Sequence, residues 1–352
     1  MKNLYQLFAF SLIVIITFSS CSKMRYVNMQ SMRPAAFEVP SHIQSIVIVD
    51  RTEFEKEGIN ILEGVLTGEL PGQDKAALQE GIYAMQSTFS RSPRFQIKVA
   101  TQRLKGNSIT AAFPKPIPWR SIRELNRQYE TDAVLAIEIF DTDFVVTRGD
   151  RMVKKKVKEG ENTVEKEVKE YYAEGIESVK IGFRLYDPKN NQIIDQAPYT
   201  RTNTWEATGS NINDAVANLI SKNEAAKYVT KLAANAYVNK ITPMPITIRR
   251  QFYSKSKKVN AIPAGSRMAD VNRWEDAART WSNAITIAPS KEAGYLAYNT
   301  AVAYEVLGDY DLAIQWAQDA WVKYGNKKAR DYVNSLNYRI SQEDRVDRQL
   351  NK

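Results

Sequence analysis

Two residue types on which much enzyme chemistry depends are almost missing from this chain: its 352 residues hold one cysteine, Cys21, and one histidine, His42. No His/Cys zinc site can be built from that pair, and a Ser-His-Asp or Cys-His mechanism would have to use His42 as its base. His42 stands in PSHIQSIVIVD, at the entry to an apolar run, where a solvated or strand-edge histidine is the expected state. The sequence contains neither a G-x-x-x-x-G-K-[ST] phosphate loop nor a G-x-G-x-x-G fingerprint; Gly64, Gly68 and Gly72 form only a loose series before a helix. No cofactor is therefore expected. Apolar runs of the roughly 20 residues that span ~30 Å of hydrocarbon are also missing.

What the N-terminus does have is a short basic start, Met1-Lys2-Asn3, followed by the apolar run Leu4 to Phe18. These are the n-region and h-region of a secretory leader, too short to remain as a membrane span. The closing residues Phe18-Ser19-Ser20-Cys21 resemble the lipobox of bacterial lipoproteins, although leucine is usual where Phe18 stands. The resemblance implies cleavage after residue 20, acylation of Cys21, and a membrane partner reached through that lipid. Each buried acyl CH₂ contributes ~0.8 kcal/mol, so two or three chains make a lasting anchor. Ser22 resembles an outer-membrane sorting residue, and Lys23 to Gln30 lack the acidic cluster that resembles surface-export signals. The expected location is the periplasmic face of the outer membrane.

Hydrophobic residues at 43% and charged residues at 25% are ordinary globular values, and they argue against disorder. The net charge of +9 is mild for this length. On an exported chain it meets lipid headgroups and cell-wall polymers, so a nucleic-acid partner is not expected.

Along the chain, Ile43 to Val49 reads as a strand covered on both faces. Ala77, Leu78, Ile82, Met85 and Phe89 recur at helical spacing, which predicts a helix over 74–90. Strands follow at 95–100 and 132–140, with a short helix between them started by a capping box at Ser121-Ile122-Arg123-Glu124. Residues 143–172 read as a long hairpin with its tip at 158–162, whose alternating lysines and glutamates suit a solvated ribbon better than a binding patch. An antiparallel pair at 176–186 and 192–205 and a helical stretch from 212 to 240 complete this part. It resembles the periplasmic α/β domain of TolB-like and curli-secretion-like lipoproteins, through SIVIVD, TDAVLAIEI and the aspartate-centred turn LYDPKNNQII.

From about Gly265 the composition shifts to Ala, Trp, Tyr and Asp. NRWEDAARTWSNAITIAP is similar to the second helix of a tetratricopeptide repeat, and AYNTAVAYEVLGDYDLAIQWAQDA supplies a complete helical hairpin turning at Gly308-Asp309-Tyr310. Ala317 departs from the pattern where an aromatic is usual, and Gly325 where proline is usual. The whole layout resembles a family of Gram-negative lipoproteins that join such an α/β domain to a terminal tetratricopeptide segment. The fold class expected is α+β: a mixed sheet with packed helices and a long hairpin, then the helical segment. The expected divisions are a leader (1–20), a tether (21–42), the α/β domain (43–242), a linker (243–264), the helical domain (265–340) and a fraying polar tail (341–352).

Trp274 and Trp281 fall at packing positions. Trp316 and Trp321 are the partner-binding candidates, because Ala313, Ala317 and Ala320 already fill the inward stripe of their helix. The expected function is a non-enzymatic, membrane-anchored protein that binds another envelope protein through this segment. Two alternatives stay open: a carboxylate-dependent cell-wall glycan hydrolase using Glu138, Asp141 and Asp143, and a subunit of a multimeric assembly, including a homo-oligomer.

Overall fold

The computed structural model describes residues 24–52, 73–106, 112–159 and 162–350, so the leader, Cys21 and the glycines at 64, 68 and 72 lie outside the described residues. In chain order the elements are β1 (Met24–Arg33), β2 (Ser45–Asp50), α1 (Gln73–Phe89), β3 (Gln96–Val99), α2 (Trp119–Tyr129), β4 (Ala133–Glu159), β5 (Asn162–Asp187), β6 (Gln192–Gly209), α3 (Ile212–Ala217) and α4 (Lys222–Ile241). They continue with β7 (Met244–Tyr253), α5 (Ala261–Asp270), α6 (Trp274–Asn283), α7 (Ser290–Leu307), α8 (Tyr310–Val322) and α9 (Lys327–Leu350). Contacts group these into two units: Pro34–Met244 with the residues from Val346 on, and the described residues through Arg33 with Pro245–Arg345. Among the described residues no helix is long and apolar enough to cross a membrane.

The first unit is a five-stranded mixed sheet in the order β3-β2-β4-β5-β6. β2 pairs in parallel with β3 and β4, while β4, β5 and β6 run antiparallel. Ile46, Val47, Ile48 and Val49 are all fully buried, because helices cover both faces of β2. Ile46 and Ile48 pack with Leu78 and Met85 of α1 and Tyr237 of α4, whereas Val47 and Val49 pack with Ile122 and Leu125 of α2. That double cover is the physical reason for a nearly continuous apolar run rather than an alternating one.

Three local expectations change. α2 begins two residues early, after Pro118, and no side chain caps it, so the capping box at Ser121 does not form; the fixed φ of proline already sets the chain for helix entry. The strand expected over 132–140 and the first arm of the hairpin are one strand of 27 residues, interrupted only by a bulge between Ile137 and Ile139. The single helical stretch from 212 breaks into α3 and α4, because Ser221 turns extended and its hydroxyl accepts the Glu224 N–H as a fresh N-cap.

In the second unit, β1 and β7 form a two-stranded sheet beside the helices. Met24–Arg33 is therefore a strand rather than a tether, and the expected linker holds β7 and the start of α5. A strand whose partner lies more than 200 residues away offers no local signal. The tail is helical to Leu350, and the Gln349 carboxamide donates to Ala35 O and accepts from Ala35 N. Trp281 is fully buried, with its indole N–H donating to Ile262 O. Gly265 makes room for it: a Cβ there would lie 2.4 Å from Trp281 Nε1. Gly265→Ala should therefore destabilise the protein by about 1–3 kcal/mol in urea unfolding, overpacking outweighing the alanine's helix propensity. An unchanged midpoint would mean that α5 and α6 yield to the methyl without strain.

Candidate functional site

The α7–α8 hairpin turns where the sequence places the turn. Gly308 ends α7 at φ 83°, and Asp309 caps α8 by accepting the Leu312 N–H at 3.0 Å. Ala313, Ala317 and Ala320 are fully buried, so one side of α8 packs inward on small residues. Trp316 lies half-buried against that core. Trp321 is 36% exposed and Val322 77% exposed, with the Arg330 guanidinium of α9 5.8 Å from the Trp321 ring centre. The two candidate tryptophans thus differ: Trp321 is at the surface and Trp316 is partly committed to packing. Trp274 and Trp281 are interior.

The neighbouring helix α7 offers no comparable face, because the chain's own strand lies on it. Asn299 is fully buried; its amide oxygen accepts Tyr253 N–H and its amide nitrogen donates to Tyr253 O, both at 2.7 Å. Tyr253 stacks on Tyr295 at 3.9 Å and meets Tyr298 edge-on at 5.6 Å. Two turns after Tyr298, the buried Glu305 carboxylate accepts from Arg250 of β7 through two nitrogens, from Arg339 of α9 at 2.7 Å and from the Tyr332 hydroxyl. Arg339 also donates to Glu343, which accepts the Tyr310 hydroxyl as well. Burial pushes the Tyr298 hydroxyl up to about 12. It pushes the Tyr332 hydroxyl far above its ordinary value, and the Glu305 carboxylate adds to that. Both phenols are neutral packing groups.

The carboxylates proposed for hydrolysis are not gathered into one site. Glu138, at the bulge, is buried and held by Arg51 at 3.0 Å, by Arg184 and by the Tyr186 hydroxyl at 2.8 Å. Asp141 and Asp143 are exposed on one strand face, opposite Lys180 and Ser178 in the register. His42 Nε2 sits 3.1 Å from Asp187, the aspartate of the LYDPKNNQII turn. Burial would raise the Asp187 carboxyl, but hydrogen bonds from His42 and Asn190 outweigh it and hold the group below its ordinary value. Among the described residues no group of three His, Cys, Asp or Glu could hold a metal ion.

One carboxylate was overlooked in the sequence. Glu177 is fully buried on β5 with no hydrogen-bond partner for either oxygen among the described residues. Burial pushes it up to about 8, with Lys222 opposing and Asp74 and Asp143 adding. The signal was present: in IESVKIGFRLY, Glu177 falls in phase with Val179, Ile181, Phe183 and Leu185, the inward-facing set.

The arrangement defines an α+β protein that combines a mixed five-stranded sheet with a separate helical unit. The chain belongs to the family described as Domain of unknown function (DUF8603), whose model matches residues 43–253. Residues 264–340 match a second, Domain of unknown function (DUF6340). No curated protein matches the chain. Among solved structures it is similar to the PelC dodecamer from Paraburkholderia phytofirmans at 12% identity and a TM-score of 0.25, over 62% of this chain and 99% of that one. It is also similar to a neuraminyllactose-binding hemagglutinin homolog from Helicobacter pylori, at 12% identity and a TM-score of 0.28, over 58% and 87%. A minor lipoprotein from Acinetobacter baumannii matches at 8% identity and a TM-score of 0.21, over 57% and 89%.

Two outcomes follow from the buried charges. Glu305→Gln leaves Arg250 and Arg339 facing a neutral group and should cost about 3–5 kcal/mol in urea unfolding; a loss under about 1 kcal/mol would show that the contacts are no stronger than a surface pair. For Glu177, the folded value of about 8 lies above the unfolded value of about 4.3. The folded chain binds the extra proton between them, so stability falls as pH rises through that window. Glu177→Gln should match the parent near pH 4 and exceed it in Tm near pH 8; equal melting at about pH 8 would place a compensating cation at the carboxylate.

Proposed function

We propose that this protein is a non-enzymatic lipoprotein, anchored through acylated Cys21 at the periplasmic face of the outer membrane, whose tetratricopeptide-like helical unit binds another envelope protein. The observation that carries the reading is the end of α8, where Trp321 and Val322 stand exposed beside Arg330. A partly buried indole under a guanidinium is the kind of aromatic and arginine pairing that anchors protein interfaces.

The groups that could have served catalysis support the same reading by their engagements. Glu138 is spent on two guanidinium groups and a phenol, and His42 stands by the Asp187 turn. Strand β7 already lies along α7, so docking falls to α8 and its neighbour α9.

A photo-cross-linker placed at Trp321 in living cells should capture one recurrent envelope protein in the membrane fraction. The same probe at Ile287, another exposed apolar residue of the helical unit, should not. Equal capture at both positions, or none at either, would remove the docking assignment. Recovery of a Cys21→Ala form still firmly in the membrane fraction would remove the lipid anchor instead.

A further inference from the structure

Strand β4 has a partner on one side for its whole length and on the other side only at its start. β2 pairs with Ala133 to Ile137, and beyond that no described strand lies on the outer edge, while β5 lines the inner edge to Glu159. Past Gly209, where β6 ends its pairing opposite Tyr171, the ribbon consists of β4 and β5 alone. An open edge presents unpaired backbone N–H and C=O groups to any extended chain that can approach it.

The side chains of this edge strand are selective. Between Arg148 and Lys158 it carries six basic residues, Arg148, Arg151, Lys154, Lys155, Lys156 and Lys158, against one acidic residue, Asp150. Glu170 holds Arg151 and Lys155, whereas Lys154 and Lys156 are exposed and make no ion pair among the described residues. In the register, Lys154 stands opposite Glu167, Lys156 opposite Glu165 and Arg151 opposite Glu170, so the inner neighbour is acidic opposite three of the six basic residues, while Lys155 faces Lys166 and is held by Glu170 instead. On the same strand Val145, Val146 and Met152 are 48%, 41% and 61% exposed, Val146 and Met152 on one face and Val145 on the other.

We propose that the outer edge of β4 from Val145 to Lys158 is a strand-addition site for an extended, glutamate-rich segment of a partner polypeptide. Edge lysines commonly serve to keep strands apart. They do so against basic strands, including a second β4, because like charges across a strand pair repel. The same lysines favour an acidic strand, as β5 demonstrates on the inner side. This inference stands apart from the docking at Trp321: it concerns the other unit, and either can fail alone.

The test uses the full-length protein and a fluorescent peptide with the sequence of Thr163 to Glu174, read by polarisation. Saturable binding is expected, weakening as the ionic strength reaches the range where charges are screened beyond about 8 Å. A Lys154→Glu/Lys156→Glu protein should bind about tenfold more weakly. Two peptide controls need no folded variant: one with its glutamates replaced by lysine, and one N-methylated at alternate amides, which keeps the charges but cannot extend the sheet. Both should fail to bind. No saturable binding, or equal binding of the N-methylated peptide, would overturn the proposal, the latter reducing the contact to charge adhesion. Self-association through β4 that the peptide cannot displace would overturn it too, assigning the edge to a second copy.

Discussion

The helical unit depends on one buried carboxylate. Glu305 gathers a strand and a helix onto α7 by accepting from Arg250, Arg339 and Tyr332, residues 55, 34 and 27 positions away. Burying an ion costs several kcal/mol, and only close, well-formed hydrogen bonds offset that loss. Here the offset comes from two guanidinium groups, with the second negative charge supplied by Glu343 on Arg339. With Arg250 fixed, β7 is held where Tyr253 meets the Asn299 amide. A helix surface that a free peptide could otherwise occupy is filled in cis by the chain's own strand.

The α/β unit carries the same problem twice and resolves it differently. Glu138 and Glu177 are both buried on neighbouring strands of one sheet. At Glu138 the bulge leaves the carboxylate facing Arg51, Arg184 and Tyr186, where a charged form is matched by cations. At Glu177 the strand is regular, no donor among the described residues reaches either oxygen, and the neutral acid is favoured instead. The difference is hydrogen bonding rather than depth, since both side chains are buried and only Glu138 has donors facing it. A buried pair that is satisfied fixes the junction of parallel and antiparallel strands, whereas an unsatisfied acid ties stability to pH.

Periodicity made the regular elements legible, and non-local pairing hid the rest. β2 and α1 follow from the apolar patterns of SIVIVD and of Ala77, Leu78, Ile82, Met85 and Phe89, because the burial that shapes them is written within a few residues. The turn at Gly308 and Asp309 was equally readable, since a left-handed glycine followed by an aspartate cap is a local device. β1 and β7 were not, because each is a strand only by virtue of the other. The same holds for the tail, where Gln349 finds its partner in Ala35. The candidate site was readable in kind, in that alanines at 313, 317 and 320 mark the inward stripe. It was not readable in degree: how far Trp316 sinks toward the core depends on packing that no spacing reveals.

Length gives β4 a second character. At about 3.3 Å per residue its 27 residues extend for roughly 90 Å, whereas a typical strand of about 5–6 residues ends where its sheet's core ends. Val134 to Ile137 of β4 are central, flanked by β2 and β5, and their burial is complete. Its last ten have one neighbour and no core beneath them, so cross-strand pairs such as Val153 with Val168 and Val157 with Val164 must hold the ribbon. A ribbon serving only as a loop could have been short. Strand geometry kept this far, with glutamates on the inner strand and lysines on the outer one, preserves an ordered row of backbone groups whose charge decides what pairs with it. Selection against unwanted strands and selection for an acidic one are then the same physical property, read from opposite sides.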